Sequence, residues 1–359
     1  MTDTPSEATT VPAGAWSFAL TRRATVALST IAFVLAVILS LSTGPVEVSL
    51  QALGQLIVGD DSVPARNRIV LMEIRLPRTI LAALVGSSLA VAGAVMQGLF
   101  RNPLADPGII GVSSGAALAA VAVIVLGGSV GLGTAGVLGL WALPVAAFFG
   151  GLATTVLLYG IATRQGRTSV ATMLLAGIAI AALATSMIGL AIFHATDQQL
   201  RDFTFWSMGS LSGATWSKII SILPFCTILL VGLPLIARGL NALLLGEAEA
   251  FHLGFDTQRL KRAAILLSAG ATGAAVSVAG IIGFVGIIAP HLVRLVLGPD
   301  HRMLLPVSAL SGAILILVTD TLSRTIVAPA ELPIGILMGV IGAPVFLSIL
   351  LRRRSVLDL

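Results

Sequence analysis

The sequence predicts an all-α polytopic membrane protein with about ten transmembrane helices per subunit, and three observations carry that prediction. Of 359 residues, 57% are hydrophobic and only 10% charged, against roughly 25% charged in an average soluble domain. So few charges do not cover a water-facing surface, and the mean hydropathy of +1.03 says the same. The apolar residues fall in runs of about 20, the length that crosses a bilayer core. The 38 glycines and 16 prolines are tolerated in such helices when neighbours satisfy the freed backbone groups. Small residues also let helices approach closely.

The elements follow in order. Residues 1–23 read as a polar tail, not a cleaved leader: Arg22-Arg23 precedes an apolar run without a small-residue cleavage site, so that run is a retained first helix. A single transmembrane domain then occupies 24–351, and a basic tail occupies 352–359. Spans are expected near 24–43, 79–99, 108–127, 138–162, 171–194, 217–237, 260–281, 287–298, 304–323 and 333–351, with a short helix near 200–210.

The Lys/Arg bias orients the chain. With the N-terminus in the cytoplasm, the inner loops hold Arg22, Arg23, Arg101, Arg164, Arg167, Arg238, Arg259, Lys261, Arg262, Arg302 and Arg352 to Arg354. An even span number puts both termini inside. The outer side keeps Arg66, Arg68, Arg75, Arg78, Arg201, Lys218 and Arg324, more than the rule favours. Two polar stretches interrupt the pattern. One is 44–78, with Glu47, Asp60, Asp61 and Glu73; the other is 238–262. The net charge of +5 is explained by topology and lipid-headgroup contact, not by nucleic acid.

Missing motifs exclude several functions. Without GxxxxGK[ST] the chain is not expected to hydrolyse ATP. HExxH, CxxC and GxSxG are missing too, which argues against an intramembrane enzyme. The four histidines have no metal-ligand spacing, and one cysteine, Cys226, allows no intrachain disulfide. No metal site or resident cofactor is expected. Asp320 is the main acid inside a span. That scarcity disfavours a proton-coupled secondary transporter and leaves the energy source to a partner.

Three segments stand out. In 240–256, Asn241 to Leu245 reads as a short apolar turn and Gly246 as a sharp break. Glu247 to Leu253 reads as a short helix with charge on one face and Ala250, Phe251 and Leu253 on the other. Such a helix pair suits either a groove on a cytosolic partner or the membrane surface. In 95–115, Arg101-Asn102-Pro103 ends one helix and Asp106-Pro107 starts the next. Ser113 and Ser114 suit a polar conduit or interhelical hydrogen bonds. In 280–295, glycines at 280, 283 and 286 and Pro290 predict a span broken at midplane depth, as transport pathways use.

Long motifs carry a resemblance: RLPRT at 75–79, GAVMQGLFRNPLADPGIIGVSSGA at 93–116, FWSMGSL at 205–211, LLLGEAEAFHLGF at 243–255, GFVGIIAPHLVRL at 283–295, DHRMLLP at 300–306 and AELPIGILMGVIGAPVF at 330–346. Over about 24–354 the chain resembles the FecCD family of ABC importer permeases, which serve iron–siderophore complexes, heme and cobalamin. The resemblance implies ten transmembrane helices and a homodimer of permeases in the bacterial inner membrane, with the pathway between the two copies. It also implies two cytoplasmic ATPase subunits, which use ATP and Mg, and a periplasmic substrate-binding protein.

Carried over residue by residue, the segment about 240–255 becomes the coupling helices, with Leu245, Gly246, Glu247, Ala250, Phe251, Leu253 and Gly254. Arg75, Arg78 and Arg324 become periplasmic arginines that pair with the binding protein's carboxylates; lipid-headgroup anchoring is the alternative. The cytoplasmic gate falls at the start of the fifth span, on Val170 and Ala171, where a relative type has Ser/Thr, so an apolar gate that closes by excluding water is expected. Pathway candidates are Ser114, Met208 and Pro290. His194 and Met208 are chemically able to touch heme iron. The stretch LRDFTFWSMGSLSGATW, 200–216, looks most like the heme permeases; ferric-siderophore and cobalamin cargoes are the alternatives.

Overall fold

A computed structural model describes residues 22–44, 46, 49–58, 64–127, 136–164 and 167–357. Tail residues 1–21, and Glu47, Asp60 and Asp61, lie outside the described residues. Among the described residues the regular structure is helical apart from a two-residue-per-strand hairpin, β1 (Thr163–Arg164) with β2 (Arg167–Thr168).

The bundle is organised around one buried rod. α1 (Arg22–Ser42) and the short α2 (Leu50–Val58) precede it. α3 (Ala65–Ile69) then runs through a π-turn at Val70–Arg75 into α4 (Leu76–Leu99), a continuous helix of 35 residues. The sequence reading started this span at 79, because Pro77 and the arginines looked like loop. The wide π-turn just before Pro77 accommodates a residue that cannot donate to the helical ladder. Nineteen of the 24 residues of α4 are buried, as expected of a helix that is apolar all round.

Backbone-to-backbone approach makes that burial possible. A Cβ on Gly86 would collide with the Gly312 carbonyl of α13 (His301–Ser323), and a Cβ on Gly93 with the Gly286 carbonyl of α12 (Val285–Leu297). No hydrophobic force draws helices together in lipid, so such small-residue contacts supply the packing. α9 (Trp216–Leu245) and α11 (Thr257–Ala279) complete the inner shell. One apolar cluster joins Leu81, Val85, Ile222, Ile316 and Met338; a second joins Met96, Leu158, Met173, Leu240, Ala250 and Ile265.

α5 (Val112–Leu126), α6 (Gly136–Ala162), α7 (Val170–Phe193), α8 (Asp197–Ser207), α10 (Glu247–His252) and α14 (Ile334–Leu357) finish the fold. Among the described residues, six helices are long and apolar enough to cross a membrane; α5, α9, α12 and α14 carry shorter apolar stretches. Together these account for the ten spans expected. α7 exposes Leu175, Ile178, Leu183, Leu190 and Phe193, and α14 exposes Val340, Leu347 and Leu351. α1, too, is mostly exposed.

The broken span is real but shorter than the sequence suggested. α11 ends at Ala279, the chain turns at Gly280 (φ 71°) and Phe284 (φ 68°), and α12 begins at Val285. Pro290 lies inside α12 and buried, not at the break. A Cβ on Gly280 would meet the Trp206 carbonyl. Phe284 is a non-glycine residue at positive φ, a conformation that persists only when its surroundings impose it; its ring packs over Gly342, where a side chain would clash.

Gly312→Val is expected to disrupt the α4–α13 contact and cost about 1–3 kcal/mol through overpacking. Gly160→Ala, at a position with open space around it, should be neutral. Thermal unfolding of the detergent-solubilised protein distinguishes the two.

Candidate functional site

Two polar constructions lie at opposite ends of the bundle. The first is built where α9 meets α11. The sequence reading made Asn241 to Leu245 a separate short element. The structure instead makes it the last turn of the 30-residue α9, because the leucine-rich stretch has no helix breaker before Gly246. Gly246 (φ 137°) turns the chain, α10 follows, and Gly254 (φ 87°) turns it again before Asp256 caps α11 through the N–H groups of Gln258 and Arg259.

The face assignment within this segment also needs correction. Ala250 is fully buried against the core, whereas Leu245, Phe251 and Leu253 are 67%, 68% and 59% exposed. Ala250 therefore holds the short helix to its own subunit and the other three point away. Glu247 is fixed to the buried Lys261 of α11 at 2.6 Å.

Behind α10, Asn241 ties α9 to the start of α13. Its amide donates to Asp300 Oδ1 at 2.7 Å, and its oxygen accepts from His301 N at 2.8 Å and from His301 Nδ1 at 2.9 Å. The Asn241 hydrogen bond holds the Asp300 carboxyl below its ordinary pKa. Gly98 of α4 leaves room for the His301 ring. The sequence offered no signal for this cluster, since its members lie about sixty positions apart.

The second construction holds the three arginines expected to dock a binding protein, and it places them inside the bundle. Arg75, Arg78 and Arg324 are 3%, 6% and 3% exposed. Arg75 caps the C-terminus of α1, donating to the carbonyls of Leu41 (2.7 Å), Ser42 (2.9 Å) and Val46. Arg78 grips Asp320 of α13 through Nε and Nη2 at 2.9–3.1 Å and donates to Glu331 at 2.9 Å. Arg324 donates to the Ser40 carbonyl at 2.7 Å and the Ser40 hydroxyl at 3.0 Å, with its Nε 3.6 Å from Asp320. Ser40 in turn bonds Thr79 at 2.8 Å. These three arginines thus tie α1, α4 and α13 together, because a guanidinium inside an apolar bundle must find its acceptors there. The Asp320/Arg324 pair was legible in the sequence as an i,i+4 spacing; Arg78, 242 positions away, was not.

The remaining candidates are dispersed. Ser114 is half-buried in the first turn of α5, and Pro290 is buried in α12. Met208 caps α8, and its carbonyl accepts from Gly335 N at 3.0 Å while Gly209 O accepts from Ile334 N at 3.0 Å. Ser210 N donates to Ala279 O at 2.8 Å. The end of α8 is thereby stitched to both α14 and the broken span. Val170 opens α7 behind the Ser169 cap, and Ala171 is exposed; the Val170 side chain lies outside the described residues. His194 caps the far end of α7, exposed.

Asp320→Asn should leave the buried Arg324 without an anion and Arg78 with Glu331 alone, and cost about 3–5 kcal/mol. Glu331→Gln, at a half-exposed site, should cost less. Loss of thermal stability in detergent checks both.

Comparison with known proteins agrees with this architecture. The FecCD transport family model matches residues 32–352. The hemin transport system permease protein HmuU of Yersinia pestis is 49% identical over 288 residues, 79% of this chain and 84% of that one. The cobalamin import system permease protein BtuC of Halobacterium salinarum is 45% identical over 294 residues, 82% and 76% of the two chains. The vitamin B12 import system permease protein BtuC of Klebsiella pneumoniae is 38% identical over 312 residues, 86% and 90%. A metal-chelate type ABC transporter solved in an inward-facing conformation superposes with a TM-score of 0.80 at 31% identity, covering 92% of this chain and all of that one. The chain belongs to the FecCD transport family and is the permease subunit of an ABC importer.

Proposed function

We infer that this permease carries heme, or a related iron chelate, from periplasm to cytoplasm. In this reading two copies form the pathway at their interface and two separate ATPase subunits drive it. The exposed trio Leu245, Phe251 and Leu253 around α10 is the observation that supports coupling to a motor. Apolar side chains on a short helix held rigidly by Ala250 and by the Glu247–Lys261 bridge suit a groove on a partner better than solvent. The bridge and the Asn241 cluster give that helix two firm connections, to α11 and α13, through which movement of the motor reaches the bundle. A membrane-surface role suits α10 less well, because Glu247 and Glu249 lie in its first turn.

Support for heme comes from the 49% identical relative named for hemin transport and from the 200–216 stretch. The 45% identical relative named for cobalamin import supports cobalamin as the second reading, with ferric-siderophore the third. The exposed apolar faces of α7 and α14 suit contact with a second copy. A periplasmic binding protein would deliver cargo at the end of the bundle opposite α10, with both termini cytoplasmic. The buried arginine network there would serve as a rigid platform for it, not as the contacting surface.

Phe251→Ala and Leu253→Ala should each lower ATP-driven uptake about tenfold in proteoliposomes, the scale of an interface hot spot, with thermal stability unchanged. Uptake that persists without the ATPase would point to secondary transport instead. The absorption spectrum of the cognate binding protein purified with its cargo tests the substrate: a heme spectrum is expected, and a corrinoid spectrum would move the assignment to cobalamin.

A further inference from the structure

At the end of the bundle opposite α10, a cavity of about 610 Å³ opens among α6, α8, α9 and α11. The Lys218 ammonium, on the first turn of α9, makes no ion pair among the described residues. It lies against Gly213, 3.2 Å from where a Cβ would stand. The indole N–H of Trp206 is buried and finds no acceptor. Glu331, the carboxylate on the wall, is already paired with Arg78 at 2.9 Å. The hydroxyls of Ser210 and Ser212 bond each other at 2.9 Å. An ammonium without an ion-pair partner on the wall of a hollow calls for an anion.

The shape of the lower part narrows its identity. Pro144 and Ser277 line this cavity and also a second one, of about 240 Å³, whose walls include Trp141, Phe148, Phe149 and Phe225. The Phe148 and Phe225 rings pack 4.5 Å apart. On the neighbouring surface Phe149 and Val145 of α6 are 60% and 47% exposed, and Ile220 of α9 is 66% exposed, so the slot opens on a face that meets acyl chains. A soluble anion would use the upper hollow and leave the aromatic slot unexplained. A carboxylate from a docked protein would do the same. Trp206 lines the larger cavity and Trp141 the smaller, as tryptophans do where membrane meets water.

We propose that this crevice binds an anionic phospholipid, its phosphate held by Lys218 beside Ser210 and Ser212 and one acyl chain lying along Phe148 and Phe225. The lipid braces the junction at which α8 is stitched to the end of α11, because Trp206 lines the crevice and its carbonyl lies against Gly280.

Native mass spectrometry of the full-length protein, titrated with phosphatidylglycerol or with phosphatidylcholine of the same chains, tests the site. The wild type should retain phosphatidylglycerol preferentially. Lys218→Ala should weaken that retention about fivefold, the worth of one basic residue at an anionic surface, and Lys218→Arg should keep it. Phe225→Trp should fill the slot and weaken both lipids alike. The proposal is overturned if the wild type shows no preference, or if Lys218→Ala binds phosphatidylglycerol as the wild type does. It is also overturned if inorganic phosphate displaces the lipid at equal concentration, which would mark a site for a free anion. Lipid retention intact in Lys218→Ala, with loss of binding-protein capture, would assign the cation to a protein contact and overturn it as well.

Discussion

The fold depends on neutralising charge inside an apolar bundle. Asp320 is fully buried with Arg78 and Arg324 around it, and the three residues belong to α4, α13 and the turn after α13. Charged groups at such depth are tolerated only when they meet one another or backbone carbonyls. Here both solutions are used: Asp320 answers Arg78 and Arg324, while the carbonyls at the end of α1 answer Arg75 and Arg324. α1 is otherwise largely exposed and makes few buried apolar contacts. Its attachment therefore relies on these polar ties and on its packing against α13.

With α4 fixed by charge at one end and by glycine contacts along its length, the other helices have a rigid reference. The broken span is the place where that rigidity is relaxed. Gly280 and Phe284 interrupt the α11–α12 line; the carbonyl of Ala279 at the break accepts from Ser210 N just beyond α8, and the end of α8 is tied in turn to α14 by Gly335 N donating to Met208 O. Irregular backbone is admissible inside a membrane only under such compensation. The same stitching makes α8 and α14 respond together if the break moves, which is the linkage a transport pathway requires.

At the opposite end, the short helix α10 has no room to shift independently. Ala250 anchors it in the apolar cluster, Lys261 holds Glu247, and Asn241 carries the connection on to α13 and, through His301 beside Gly98, to α4. The rod that is neutralised by Asp320 at one end is thus contacted at its other end by the segment that protrudes. A two-state transporter needs elements stiff enough to pass a displacement over the full membrane thickness, and discrete packed contacts of this kind transmit movement where a flexible loop would absorb it.

The sequence by itself determined the fold class, the approximate position of ten spans, the break after Ala279, the short helix after Gly246 and the family. All of these follow from local signals: runs of apolar residues, Gly and Pro punctuation, and contiguous motifs. Tertiary structure alone decided which faces were occupied. Arg75, Arg78 and Arg324 read as loop arginines because their acceptors come from α1 and α13, far away in the chain. Ala250 read as a companion of Phe251 because only packing against Leu243 and Leu260 shows which side of a six-residue helix is inward. The glycines at 280, 283 and 286 marked the break, yet only the assembled structure shows that Gly280 and Phe284 make the turn. The pairing of Asn241 with Asp300 and His301, and the joint exposure of Lys218 and Trp206 to one crevice, likewise exist only after the helices assemble. The physical reason is the same in each case: hydrophobic periodicity records the average environment of a helix, whereas the partner of a polar side chain is fixed by contacts between segments that the chain order does not relate.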